Sequence, residues 1–331
     1  MDLSTKYLGL SLPHPFLAGA SPLADTVERC QRLADAGIAG IVLRSLFEEQ
    51  IDLEALAHHQ AVFGHTEAHG EAMSYLPAAD DSVFGPDEYL AHLESVKAAV
   101  DVPVIASLNG HTEGGWIDHA RRIEEAGADA LELNLYAVAT DPGESGAELE
   151  DRAVAIVQRV TESLRIPVAV KLSPFYTALV HFALRLEHAG ADGLVLFNRF
   201  FEPDVDLEAL EMKTHLELSQ RSELLLRLRW LGLLSGQLRV GLAVSGGVQT
   251  ATDAIKAMMC GAHAVQLVTA LLRGGMGRIA VLCDEVSQWL RDHDYESLRQ
   301  MRGSMDSSRT PDPKAFERVN YMRTLQTYRI E

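Results

Sequence analysis

Short, nearly unbroken apolar runs alternate along the chain with segments whose apolar residues recur at helical spacing. The runs lie near residues 16–20, 38–43, 104–109, 130–134, 168–172, 193–198, 242–246 and 264–268. Apolar character without alternation is what parallel strands covered on both faces require. Between them, Asp25 to Ala36 sets Val27, Leu33 and Ala34 at helical spacing, and Thr250 to Met259 has helical composition with Thr250 or Thr252 as its cap. One phrase recurs where a helical pattern gives way to an apolar run: Ala36-Gly37-Ile38, Ala126-Gly127-Ala128, Ala189-Gly190-Ala191 and Gly261-Ala262-His263. The glycine there supplies a left-handed cap, and small neighbours let the next strand start at once. Asp101-Val102-Pro103 and Arg165-Ile166-Pro167 each lead into a run, and proline is tolerated where a strand begins.

Eight βα units result. They predict an α/β fold, a (β/α)8 TIM barrel forming a single domain over residues 1–331, with its core at about 16–300. A doubly wound open sheet is the alternative, but no GxGxxG follows the first run. Tyr7 to Pro15 predicts a small hairpin or lid, and Met301 to Glu331 an extended C-terminal wrap. Two long βα loops, Phe47 to Pro86 and Arg199 to Ser222, leave the C-terminal ends of strands, where barrels carry lids or dimer contacts.

Net charge is −18 over 331 residues, which argues against nucleic acid and anionic membrane surfaces as partners. Cys30, Cys260 and Cys283 form no CxxC, so a disulfide framework or iron–sulfur cluster is not indicated. No apolar stretch reaches the length of a membrane helix and no secretory signal opens the chain, so a soluble cytoplasmic protein is expected.

In a barrel, polar residues at the C-terminal strand ends converge on one bowl. Here they are Ala20-Ser21, Arg44-Ser45, Ser107 and Asn109, Asn134, Lys171 and Ser173, Asn198 and Arg199, Gly246-Gly247, and Thr269-Ala270. The glycine pair between a strand and a helix leaves backbone N–H groups unobstructed, and with the helix dipole these make an anion site; an ordinary βα turn is the plainer reading. If the last two strands are parallel, Thr269-Ala270 emerges beside it and both turns can hold one phosphate. Lys171 ends a buried strand and needs a partner there, for which a cofactor carbonyl or an anionic ring is suited. Together these suit a planar, hydrogen-bonding, phosphorylated cofactor. Arg199 is placed either to pair with a substrate carboxylate or to form a salt bridge with Glu202 or Asp204. His65 and His69, with His58 and His59 nearby, are a candidate metal set, though the spacing is not that of a metalloprotease and a solvated loop explains it as well.

Taken in order, Ala20-Ser21-Pro22, Leu131-Glu132-Leu133-Asn134, Val170-Lys171-Leu172-Ser173-Pro174-Phe175, Phe197-Asn198, Ser245-Gly246-Gly247-Val248 and Val268-Thr269-Ala270-Leu271 resemble the dihydroorotate dehydrogenase family, in its cytosolic FMN-dependent branch. Ser45 to Ile51, Ala106 to Gly110 with Gly114 to Trp116, and Phe316 to Tyr321 resemble a divergent bacterial subgroup called dihydroorotate dehydrogenase-like. The resemblance implies FMN as cofactor and a homodimer. It implies that the Ala20-Ser21 backbone and the Ser45 side chain contact the flavin, and that Gly246, Gly247, Thr269 and Ala270 hold its phosphate. It places Lys171 at the N1/C2 carbonyl side of the ring, and has Asn134 and Asn198 bridge flavin and substrate. Arg44 stands where the family usually has lysine.

The substrate side departs from the pattern. The family's substrate loop has its nearest counterpart in Ala72-Met73-Ser74-Tyr75-Leu76-Pro77, without the asparagine, and its proton-accepting Cys or Ser falls at Ala137. Tyr136, Ser107 or water remain as proton acceptors; tyrosine, with a pKa of about 10, serves only if that value is lowered. Arg44, Asn109, Asn198 and Arg199 are the substrate-side candidates. The expectation is an FMN-dependent oxidoreductase moving a hydride between flavin and a small dihydropyrimidine-type or related carboxylated substrate. The alternatives are a redox-silent FMN-binding protein and a phosphate-binding barrel lyase or isomerase without flavin.

Overall fold

A computed structural model describes residues 1–52, 85–112, 114, 117–135, 137–199, 202–213, 217–327 and 329. Its centre is a closed barrel of eight parallel strands. The chain opens with a hairpin, β1 (Thr5–Tyr7) and β2 (Leu10–Leu12), followed by β3 (Phe16–Ala18), helix α1 (Val27–Asp35), β4 (Ile41–Phe47) and α2 (Pro86–Ala99). Then come β5 (Val104–Asn109), α3 (Ile117–Glu125), β6 (Ala130–Asn134), α4 (Gly146–Ser163), β7 (Val168–Leu172), α5 (Leu179–His188) and β8 (Gly193–Leu196). A second hairpin, β9 (Asp204–Asp206) and β10 (Glu211–Lys213), precedes α6 (Leu224–Leu234), β11 (Gly241–Ser245), α7 (Ala251–Met259) and β12 (Ala264–Leu267). The chain continues through α8 (Thr269–Gly274), α9 (Arg278–Asp292), α10 (Leu298–Met301) and α11 (Arg318–Thr327). The barrel runs β3-β4-β5-β6-β7-β8-β11-β12 and closes by pairing β12 with β3.

Strand alternation sorts the core into two parts. Leu17, Val42, Ile105, Ala130, Ala169, Val195, Ala243 and Ala264 point into the barrel and pack on one another. Neighbours such as Phe16, Val104, Val170 and Leu242 point out and meet the helix faces, with Leu33, Val96, Phe182 and Leu231 among their partners. Half of this interior layer is alanine, and the other half is Leu17, Val42, Ile105 and Val195.

Because side chains alternate with a period of two, the next inward positions toward the C-terminal ends are Ser107, Glu132, Lys171 and Gln266. All four are buried. The fold therefore carries a polar layer above an apolar one inside the same barrel.

The expected N-terminal hairpin and the long insertion after β8 are present, while the second barrel strand and the C-terminal tail depart from expectation. The N-terminal hairpin is a plug at the bottom of the barrel: Tyr7 lies against Gly193 and Gly241, the first residues of β8 and β11. The second barrel strand runs from Ile41 through Arg44-Ser45 to Phe47, displaced from the expected 38–43, with a register shift between Val42 and Ser45. The insertion after β8 forms the β9–β10 hairpin. In the C-terminal segment, Gly303, Met305 and Ser307 donate backbone hydrogen bonds to α7 and α6, as a wrap would. The expected extended course fails beyond them, where α11 forms and buries none of its residues. No helix among the described residues is long and apolar enough to cross a membrane.

Candidate active site

The ends of β5, β6 and β7 are in register: Asn109 faces Asn134, and Asn134 faces Lys171. Ser107 lies one inward position below Asn109. Its Oγ is 2.7 Å from Ser45 Oγ, and Asn134 Nδ2 donates to Ser107 Oγ at 2.9 Å and to Ser45 Oγ at 3.3 Å. Tyr89 of α2 donates to the Ser107 carbonyl at 3.2 Å and accepts from the Ser107 N–H at 2.8 Å. Three sequence candidates, Ser45, Ser107 and Asn134, are thus one hydrogen-bonded cluster. The Asn109 side chain, close by, makes no hydrogen bond among the described residues.

Lys171 has its partner inside the protein. Its Nζ donates to Glu132 Oε1 at 2.9 Å and to Gln266 Oε1 at 3.3 Å. Gln266 Nε2 in turn donates to Glu132 Oε2. Glu132 and Gln266 thus join the candidate site, and neither is singled out by the sequence pattern. The available signal was a carboxylate and an amide standing inside otherwise apolar strands, since such groups are buried only with partners.

On the other side of the bowl, Gly246 and Gly247 have φ of +85° and +81°. The N–H groups of Gly247, Val248, Thr269 and Ala270 find no acceptor among the described residues. Ser245 pairs with Gln266 in the parallel β11–β12 ladder, so these donors emerge side by side from adjacent strands. The helix that follows the glycine pair is capped from within. Asp253 accepts from Gln249 N and Thr250 N, and Thr250 Oγ1 accepts from Asp253 N. These bonds occupy the N–H groups that lead into α7, while those of the two turns stay open.

A third residue missed from sequence, Arg227 of α6, is buried against this turn. It donates from Nε to the Ser245 carbonyl and from Nη1 to the Glu223 carbonyl, at 2.8 Å for the latter. Its guanidinium packs under Gly246, where a Cβ would lie 2.7 Å from Nη2. Burial, more than any other cause, holds the Arg227 pKa below its ordinary value. Thr269 Oγ1 pairs with Ser219 Oγ at 2.8 Å, tying the approach to α6 to the second turn.

The remaining candidates are locally engaged. Ser21 Oγ donates to the Gly19 carbonyl at 2.9 Å, beside half-buried Ala20. Arg44 forms a two-pronged pair with Asp25, at 2.8 and 2.6 Å. Asn198 Oδ1 accepts from Arg199 N, and among the described residues the carboxylate beside the Arg199 guanidinium is Glu223 at 3.7 Å, where Glu202 or Asp204 was expected. Glu48, just past β4, is buried, accepts from His111 N at 2.9 Å and lies 3.4 Å from His111 Nδ1, which joins the ends of β4 and β5. Ala137 is exposed and follows Leu135 at the mouth. Tyr136, the 72–77 loop and the histidines at 58, 59, 65 and 69 lie outside the described residues.

The family model described as dihydroorotate dehydrogenase matches residues 82–290. The NAD-dependent dihydropyrimidine dehydrogenase subunit PreA of Escherichia coli is 25% identical over 330 residues, covering 94% of this chain and 78% of that protein. The catalytic subunit of dihydroorotate dehydrogenase B (NAD(+)) from Methanocaldococcus jannaschii is 25% identical over 299 residues, 88% of this chain and 94% of its own length. The chloroplastic dihydropyrimidine dehydrogenase (NADP(+)) of Arabidopsis thaliana is 22% identical over 326 residues, 91% of this chain and 76% of its own length.

Proposed function

Because the chain belongs to the dihydroorotate dehydrogenase family, we propose that it is an FMN-dependent oxidoreductase acting on a CH–CH bond of a dihydropyrimidine-type or related carboxylated ring. The observation that carries this reading is the pairing, in one bowl, of four open backbone donors with a buried ammonium. The donors at Gly247, Val248, Thr269 and Ala270 fit a phosphate. The ammonium of Lys171 and the amides of Asn134 and Asn198 fit a planar ring rich in carbonyls and nitrogens. When bound, FMN supplies the hydride-accepting ring.

The chain's own residues then divide the work. Lys171 holds positive charge where the reduced ring is negative, a preorganised electrostatic role. Ser45 and Ser107 fix the Asn134 amide so that it presents one orientation. Ala20 and Ser21 offer backbone contacts to the ring edge. Arg44, Asn109, Asn198 and Arg199 stand on the substrate side, with Ser107 and Tyr136 as proton-accepting candidates. A homodimer in the cytoplasm belongs to the same reading, and sedimentation tests the first part.

The test is direct. Purified protein is expected to be yellow and to release FMN on denaturation, and dihydroorotate or dihydrouracil is expected to bleach the flavin in a single turnover. Colourless protein that takes up no added FMN would refute the cofactor. One observation favours a second reading: Ala137 has no group to take a proton, as a redox-silent FMN-binding protein would tolerate. A yellow protein that no dihydropyrimidine bleaches would favour it.

A further inference from the structure

Lys171, Glu132 and Gln266 close a ring of three hydrogen bonds drawn from β7, β6 and β12. An ammonium has three N–H groups, and two are committed here. Below the ring lies the packed apolar layer of Ala130, Ala169 and Ala264. The third N–H has the C-terminal mouth as its open direction. Among the described residues, the other titratable groups that face Glu132 are Tyr7 of the plug and Tyr89 of α2. Burial first, and then the Glu132 charge, push both phenols upward, so they stay neutral.

We propose that Glu132 and Gln266 are positioning residues: they keep the Lys171 ammonium charged in every redox state of the site and aim its single remaining N–H at the ring of a bound flavin. This rests on the FMN reading above. Glu132 is the counter-charge that lets an ammonium stay protonated in a dry interior, because burial without one favours the neutral amine. With Lys171 charged throughout, two-electron reduction takes up one proton, on the ring. With Glu132 neutralised, Lys171 rests as an amine beside the oxidised ring and binds a second proton from solvent when the ring becomes anionic. The electrons come from the reductant in either case.

The experiment is a potentiometric titration of the FMN-loaded protein at several pH values. Wild type is expected to show a midpoint that falls by one proton per two electrons, about 30 mV per pH unit. Glu132→Gln is expected to double that slope to two protons per two electrons, about 60 mV per pH unit. The double variant Glu132→Gln with Lys171→Arg is expected to restore the wild-type slope, because a guanidinium does not deprotonate. A wild-type slope of two protons overturns the proposal without any variant, so it stays testable even if Glu132→Gln fails to fold. Parallel lines for wild type and Glu132→Gln also overturn it. Protein that holds no FMN is a different failure, and it sinks the cofactor reading first.

Discussion

A substrate carbon that gives up a hydride has a neighbour that must give up a proton, and residue 137 offers only a methyl group. General acid–base groups contribute roughly 10²–10⁴-fold. Ala137→Cys is therefore expected to speed flavin reduction by dihydroorotate at least ~10-fold in stopped flow. An unchanged rate would mean that the proton leaves by another route. His263 allows a second test at this scale. Burial, with the Arg302 charge adding to it, lowers its pKa to about 4. The unfolded chain, with histidine near its ordinary value, binds more protons between there and about 6.5. Stability is thus full above that window and is lost as pH falls through it, by about 3 kcal/mol. Leu242 N donates to His263 Nδ1 at 3.2 Å, and an asparagine oxygen can take that bond. His263→Asn is expected to flatten this part of the acid-unfolding profile, read by denaturant melts across the window. Lys171 was legible as a buried cation in need of a partner. Its partners were not, because Glu132 and Gln266 lie 39 and 95 residues away and no local pattern links them.

At the scale of elements, the two turns after β11 and β12 are the proposed phosphate side. Gly247 has a positive φ, and a Cβ there would fall 2.6 Å from the Leu224 backbone nitrogen. Gly247→Ala is expected to cost about 1–3 kcal/mol in strain. The flavin-to-protein ratio should drop with the melting temperature; a stable variant with full FMN content would exclude this turn from the grip. The barrel strands themselves were readable because an unbroken apolar run between a glycine cap and a polar end has few other fates. The displaced second strand shows the limit of that signal. Ile38 to Leu43 is apolar throughout, so the pattern does not mark where the ladder begins, while Gly40 is held close against Leu17 and Pro103. At its other end, Arg44 and Ser45 stay in the strand because the polar interior layer and Asp25 receive them. Arg227 was hidden for a related reason. An arginine within Leu224-Leu225-Leu226-Arg227-Leu228 reads as the wet edge of a helix, whereas here it is the edge that braces a turn.

Across the whole molecule, burial falls off sharply at the C-terminal end. Val319, Tyr321, Met322 and Leu325 of α11 are all exposed. Removing residues 318–331 while keeping Phe316, which packs on Gly232, is expected to move the melting temperature by no more than about 2 °C. A larger fall would mean that this helix is covered by a second chain. The closure of the barrel has a consequence of another kind. β3, near the start, hydrogen-bonds to β12, which emerges from the ribosome only after all the intervening strands. At roughly 5–20 residues per second, the first strand waits tens of seconds for its last neighbour. Both turns with open N–H groups leave the last two strands, so on the proposed FMN reading the nascent chain acquires its cofactor seat in the same step that closes the barrel.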